Sequence, residues 1–398
     1  MSGSAARTAT ADVVCLGESM VTFLPSQPGR LADVPSFGRG IGGAESNVAC
    51  ALAAAGHRTK WVGRVGADGF GDHLVDAIAA YGVDTSAVRR DPDRPTGIYF
   101  RTATDRATDT HEVAYYRAGS AASAMSPHNV PYEDLLSGRV LHLSGITAAL
   151  SADCLALLHD LTAPRDGRPL VSFDVNHRPG LWRDGHAGPR VLLDLARRCD
   201  LVFVGEDEAE EAWGVHGTEE IRAALPEPDV LVVKRGADGV TVFSRTGGAA
   251  HGAGHDTAGA TGHDTGVAAG HDAGVAAGHD AAGAPGHRAA EGAAGAAEDT
   301  VTTVPSLRVD VVAAVGAGDA FAAGFLSATL RDLPVRDRAR HGHLMAAAVL
   351  TVPGDLTGPP PRAHADRLAA LDDDAWGTLR LGPGWTLAAG ANEEVRVT

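Results

Sequence analysis

The stretch RVLHLSGITAALSADCLALLHDLTAPRDGRPLVSFDVN, residues 139–176, contains a complete strand–helix–strand unit. Its outer runs, 139–146 and 169–176, are close to continuous in hydrophobicity, as in strands covered on both faces of a parallel sheet. Between them, SADCLALLHDLTA carries leucines and alanines at spacings of three and four, the repeat of a helix with one buried face. The same strand reading applies to DVVCLGE (12–18), DLVFVGE (200–206) and DVLVVKRG (229–236), and HAGPRVLLDLARR repeats the helical spacing. Strands and helices in alternation predict a layered α/β fold with right-handed crossovers. Ligands of such sheets gather beyond the carboxyl ends of the strands. The polar groups GE, SGI, DVNHR and GEDE all stand at those ends.

Two regions break the alternation. Residues from about 20–40 and 94–120 carry alternating segments such as TGIYFRT and HEVAYYR, the pattern of a small antiparallel sheet projecting as a lid. The second break, 251–300, is rich in Gly and Ala, and His255, His263, His271, His279 and His287 recur every eight residues, most followed by Asp. With few large apolar side chains it reads as a disordered insertion, spanning 247–300, between the strands GVTVFSR and TTVPSLRVD. A metal-binding His/Asp array is the functional alternative.

A hydrophobic share of 44% in 398 residues supports one large core. The net charge of −16 argues against a nucleic-acid or anionic-membrane surface, while leaving room for a local positive pocket. Cys15, Cys50, Cys154 and Cys199 lie far apart, with no metal or redox spacing, which points to a reducing, cytoplasmic setting. No run reaches the roughly 18 apolar residues that a membrane helix needs, and the N-terminus lacks a signal-peptide pattern.

Several motifs bear on chemistry. VVAAVGAGDAFAAGF (311–325) sets the bare backbone of Gly316, Ala317 and Gly318, with Asp319, where a helix begins. Asp319 reads either as an N-cap or as a group held beside an anion cradle. In GRGIGGAESNVACALAAAG (38–56), Gly42 and Gly43 permit a sharp bend, and Asn47 offers an amide to a hydroxyl. GADGV (236–240) is either a hairpin turn or a place where Gly236 and Gly239 let an adenine nucleotide lie on the backbone. Glu208 reads either as a helix-dipole partner or as a holder of a magnesium-bound water. Arg117 in YYRAGSAAS and Arg178 in DVNHRPGLW are candidates for bidentate anion binding, or surface arginines satisfied by nearby acids. No Walker loop and no dinucleotide-binding glycine motif is present.

Taken in order, GIGGAESN and VGAGDAFAAGF resemble the substrate and catalytic motifs of the ribokinase family of carbohydrate kinases, from about Val13 to Pro360. The resemblance implies a three-layer α/β/α sandwich with a mostly parallel central sheet of about eight or nine strands and a small β lid. It implies a kinase domain over 12–382, with 1–11 and 383–398 as flexible tails. TGIYFR, AYYRAGSAAS, LSGITAALS and DVNHRPGLW look most like the 2-keto-3-deoxygluconate kinase branch.

By that pattern Asp319 is the general base and the 316–318 backbone an anion hole. Tyr99, Tyr115, Arg117 and Arg178 would meet the sugar acid, Gly42, Gly43 and Asn47 its hydroxyls, and Ile146 would line the pocket. ATP would meet Asn176, Lys234, Gly236, Gly239, Gly316 and Gly318, with Mg2+ held indirectly through Glu208 and water. The partners implied are a small sugar acid and ATP, with neither nucleic acid nor membrane; oligomeric state is left open, a homo-oligomer included. The chain departs from the pattern at Ala313, where the family usually has an acidic residue, and at Gly205, where Asn often stands. Ala313 leaves a monovalent-cation requirement open. The alternatives are a fructokinase or other sugar kinase of the family and, from another class, a catalytically impaired sugar-acid-binding sensor.

Overall fold

In the computed structural model, which describes residues 9–27, 29–102, 112–182, 188–245 and 299–387, two sheets place the functional groups. The larger is built from β1 (Ala11–Leu16), β4 (Thr59–Val62), β9 (Gly138–Ser144), β10 (Leu170–Asp174), β11 (Leu201–Gly205), β12 (Val230–Lys234), β13 (Val240–Arg245) and β14 (Asp299–Val304). Their order across the sheet is β14-β13-β12-β11-β10-β9-β1-β4. The run from β4 to β12 is parallel throughout, and β13 returns antiparallel to β12. The smaller sheet has the order β3-β2-β7-β8, from β2 (Met20–Pro25), β3 (Phe37–Gly42), β7 (Ile98–Arg101) and β8 (Val113–Tyr116). Two short pairs complete the strands, β5 (Arg64–Gly66) with β6 (Arg89–Asp91) and β15 (Arg308–Val309) with β16 (Arg380–Leu381).

Successive strand residues point to opposite faces, so one strand feeds two cores. Val13 and Cys15 of β1 enter the core that holds Phe321 and Phe325 of the helix Ala317–Leu330, whereas Val14 and Leu16 enter the core of Leu157 and Leu158 on the helix Ala152–Leu161. Phe203 on β11 is fully buried and meets Phe325 edge-on at 5.5 Å between ring centroids. Truncating it to alanine would destabilise the fold by about 3–5 kcal/mol. The three layers expected from the sequence are therefore present. In the lid, Phe23 stacks on Phe100 at 4.7 Å.

The four cysteines are unpaired and buried. Burial pushes the Cys50 thiol up to about 12 and the Cys154 thiol up to about 11, and raises Cys15 and Cys199 as well. No helix among the described residues is long and apolar enough to cross a membrane.

Three local readings need correction or limits. β4 was not anticipated: it is four residues long and includes Lys60, which ion-pairs with Asp84 and Asp134. Trp385, within the tail expected from 383, is fully buried and packs near His364, their rings 5.9 Å apart. The chain divides into two units, residues 1–244 with 300–398 and residues 245–299. The expected insertion over 247–300 lies outside the described residues except at Asp299 and Thr300, which open β14.

Candidate active site

Parallel strands end on one edge of the sheet, and the polar residues at those ends meet there. β10 ends on Asp174 and β12 on Lys234. The Lys234 ammonium lies 3.1 Å from both oxygens of the Asp174 carboxylate. Burial works against the ammonium charge, yet Asp174, Glu208 and Asp319 together raise its pKa above the usual lysine value. A cation is therefore fixed at the sheet edge. It also faces the glycine turn: a Cβ on Gly318 would lie 3.8 Å from Lys234 Nζ.

That turn opens the helix Ala317–Leu330. Gly316 is its N-cap, in the left-handed conformation at φ 78°. Asp319 is therefore the third helical residue and makes no capping bond, so the N-cap reading fails. Its Oδ2 instead accepts a hydrogen bond of 2.8 Å from Asn47 Nδ2, on the helix Ala44–Ala54 that follows the upstream glycine motif. Two motifs 272 residues apart are joined by this bond. Burial pushes the Asp319 carboxyl up to about 7, with Asp174 adding to the shift and Asn47, Arg178 and Lys234 opposing it. A carboxylate tuned near neutrality, partly open to solvent and beside free helix N–H groups, suits proton abstraction from an alcohol.

On one side of the turn a cleft of about 700 Å³ is lined by Lys234, Gly236, Ala237, Gly239, Gly318 and Phe321, among others. Gly239 (φ 103°) has no room for a side chain, since a Cβ would fall 2.2 Å from the Val304 carbonyl. GADGV is thus the β12–β13 turn, and it also walls the cleft. His343, absent from the sequence expectations, is another wall residue, held neutral because burial lowers it to about 4.

On the other side lie the lid and the Gly42 turn. A Cβ on Gly42 would stand 2.5 Å from Tyr99 Oη, and one on Gly43 2.4 Å from the Glu18 carbonyl. Tyr99 is buried under the lid, whereas Tyr115 stays half exposed, its ring 5.3 Å from that of Tyr99. Arg117 bonds through Nη2 to the buried Glu18, which also accepts from Ser120 Oγ at 2.6 Å. Its Nε is buried without a partner among the described residues. Ile146 sits partly buried on the helix turn after β9, where Ser144 and Thr147 donate to Glu45 at 2.7 and 2.8 Å.

Two expected residues follow the end of β10. Asn176 is buried beyond β10 with φ 43° and does not line the cleft. Arg178 is half exposed, donates to the His177 carbonyl at 2.9 Å and lies 3.7 Å from Glu208 Oε1. Each arginine expected to hold a sugar acid therefore already faces a carboxylate. Glu208 Oε2 accepts from the Gly205 N–H at 2.7 Å, which is its helix-capping role, and Oε1 faces Arg178 at the ion-pair distance of 3.7 Å. Among the described residues no three His, Cys, Asp or Glu side chains cluster to hold a metal. A single carboxylate oxygen, shared with the half-exposed Arg178, fits a Mg2+ carried by nucleotide phosphates and reached through water, and does not fit a protein cage.

Glu18, Glu45, Asp174, Arg101 and Asp355 were missed by sequence reasoning. Each acts through a partner distant in the chain, and only GE at the end of β1 and DVN at the end of β10 carried a positional hint.

The pfkB family carbohydrate kinase pattern matches residues 10–260 and 287–362. A Bacillus subtilis (strain 168) protein named 2-dehydro-3-deoxygluconokinase is 32% identical over 354 residues, covering 88% of this chain and 93% of that one. The rice (Oryza sativa subsp. japonica) protein Fructokinase-1 is 30% identical over 237 residues, 58% of this chain and 73% of that one. Among solved structures, a PfkB protein from Polaromonas sp. JS666 superposes with a TM-score of 0.67 at 29% identity, covering 90% of this chain and 99% of the other.

Proposed function

The chain belongs to the pfkB family of carbohydrate kinases and is an ATP-dependent sugar kinase, and from that premise we propose that its substrate is 2-keto-3-deoxygluconate, phosphorylated on the C6 hydroxyl to 2-keto-3-deoxy-6-phosphogluconate. The observation that carries the substrate choice is Arg117, which follows lid strand β8, sits 5.8 Å from the centroid of the Tyr115 ring and has its Nε unpartnered among the described residues. Glu18 takes one Nη2 bond of that guanidinium, and a sugar carboxylate reaching it would supply the partner that Nε lacks. The named Bacillus relative supports the same reading.

ATP occupies the 700 Å³ cleft with its base near Gly236 and Gly239 and its phosphates toward Lys234 and the Gly316–Gly318 turn. Asp319 takes the proton of the sugar hydroxyl as that oxygen bonds to the γ-phosphorus. The bond from the γ-phosphorus to the bridging oxygen breaks, and ADP leaves with the electron pair. Lys234 and the N–H groups of the turn stabilise negative charge on the transferred oxygens. Asn47 orients the base. Glu208 would hold a nucleotide-borne Mg2+ through water, and the ion would there supply neutralisation of phosphate charge.

One observation favours a second reading. Arg117 is already balanced by Glu18, so a neutral ketose such as fructose would leave no bare charge, in keeping with the similarity to Fructokinase-1. Coupled ADP release with Mg2+ and ATP across 2-keto-3-deoxygluconate, fructose and ribose separates the two. The sugar acid should exceed the neutral sugars in kcat/KM by at least about 100-fold, because a site built for a carboxylate discriminates strongly against its absence. A fructose value equal or higher overturns the sugar-acid assignment.

A further inference from the structure

Tyr99 and Arg101 are two residues apart on β7 and face the same side of the lid sheet. Both reach one carboxylate in the segment after the helix Val335–Leu350. Tyr99 Oη donates to Asp355 Oδ2 at 3.1 Å, and Arg101 Nη2 donates to Oδ1 at 2.5 Å. The ion pair spans 254 residues of sequence, and each side chain is only 6% exposed. Burial raises the Asp355 carboxyl, and the Arg101 charge opposes that shift most strongly.

The backbone of Asp355 forms the floor under Gly316. A Cβ built on Gly316 would strike the Asp355 carbonyl at 2.5 Å and its Cα at 3.0 Å. The Asp355 carboxylate also lies against Gly42, 3.1 Å from a Cβ there, and with Asn47 it lines a cavity of about 10 Å³. One residue thus touches the underside of the lid, the sugar-side glycine turn and the turn that holds the phosphate. Arg101 touches none of the reacting groups among these contacts, and Asp355 is what it holds.

We infer that Arg101 is a positioning residue, which acts through Asp355 to lock the lid strand against the Gly316 turn in the geometry that phosphoryl transfer requires. The inference rests on the kinase reading of the site and is independent of which sugar is used. Without Arg101 a buried carboxylate is left uncompensated, so Asp355 must take up a proton or move toward water. Its backbone is in contact with Gly316, so a movement there misaligns the anion hole, and a misplacement of about 1 Å lowers rate by on the order of 100-fold.

The test uses the full chain, ATP with Mg2+, and whichever sugar gives the highest turnover in the substrate panel. Arg101→Met keeps side-chain length and removes charge; Arg101→Lys keeps charge. The Met variant should lower kcat by about 10–100-fold with the KM for ATP unchanged, and should form ADP in excess of sugar phosphate. The Lys variant should recover most of the turnover and coupling. Adding Asp355→Asn to Arg101→Met should lower kcat little further, because the two side chains act as a unit. A Met variant with normal kcat and coupling overturns the inference, as does one that only melts earlier. If that variant does not fold, Asp355→Asn decides: reduced kcat at unchanged ATP KM supports the role, and normal kcat overturns it. Absence of turnover with every sugar in the unaltered chain would instead remove the kinase reading itself.

Discussion

Replacing Gly316 by alanine adds one methyl group at the tightest point of the site. Two effects are separable. The left-handed backbone, φ 78°, costs a residue with a Cβ about 1–2 kcal/mol. The methyl would also lie 2.5 Å from the Asp355 carbonyl oxygen, roughly 1 Å inside ordinary contact, and that neighbour is backbone with no rotamer to yield. Either Gly316 turns, carrying the Ala317 and Gly318 N–H groups off the phosphate, or Asp355 retreats and loosens Tyr99 and Arg101. Both routes remove aligned donors, and losing one such donor lowers kcat by about 10²–10³. The stability loss of about 1–3 kcal/mol corresponds to a drop of only a few degrees in Tm for a chain of this size. Gly318→Ala is the informative contrast. Its methyl meets only Lys234 Nζ, at 3.8 Å, and its backbone is helical, so Tm should hold or rise while the KM for ATP rises. Turnover by coupled ADP release and melting by calorimetry read both variants. Gly316→Ala with wild-type kcat and Tm would refute the assignment of this turn as the phosphate cradle.

Other outcomes follow from the same geometry. Asp319→Asn should lower turnover by about 10²–10⁴ with the fold unchanged by circular dichroism. Because Asp319 titrates near 7, kcat/KM should climb with pH through that value as the base loses its proton. The raised pKa also means that stability from this group is present below the ordinary carboxyl range and is lost as pH rises toward 7, so Asp319→Asn should gain on the parent in Tm at pH 8 relative to pH 4. Asn47→Ala removes a bond to the ionised form and should move the acidic limb of the pH profile upward, read from kcat/KM between pH 5 and 9. Joining β13 to β14 by a short turn in place of 247–297 should leave kcat, KM and bound metal unchanged, since the two strands are neighbours in the sheet and loop entropy varies only logarithmically with length.

What could be read in advance was whatever the chain writes locally. β9, β10, β11 and β12 are apolar runs bounded by polar ends and the lid strands alternate, so most strands of both sheets were foreseeable; the antiparallel lid expected from the sequence is instead mixed, because β2 pairs parallel to β7. Gly42, Gly316 and Asp319 sit in short motifs whose chemistry is contiguous. Arg101 and Asp355 form a pair only after 254 residues have folded between them, and neither has a neighbouring pattern that marks it. Glu18 and Arg117 are 99 residues apart and show the same limit. Asn176 shows a different limit: DVN marks a strand end, but the left-handed backbone at φ 43° is a conformation that the local sequence does not announce. Trp385 looked like part of a tail because the residues around it are Gly, Pro and Leu without periodicity, and only packing near His364 shows that it closes the core.

The buried thiols carry a practical consequence. None of the four native sulfurs presents a reactive thiolate at neutral pH, so maleimide and disulfide reagents should pass the folded chain by. A single cysteine introduced at Tyr116, which is 65% exposed on the outer lid strand, would then be the sole attachment point for a fluorophore. Lid movement during turnover could be followed from that one label without first stripping the protein of its own sulfur.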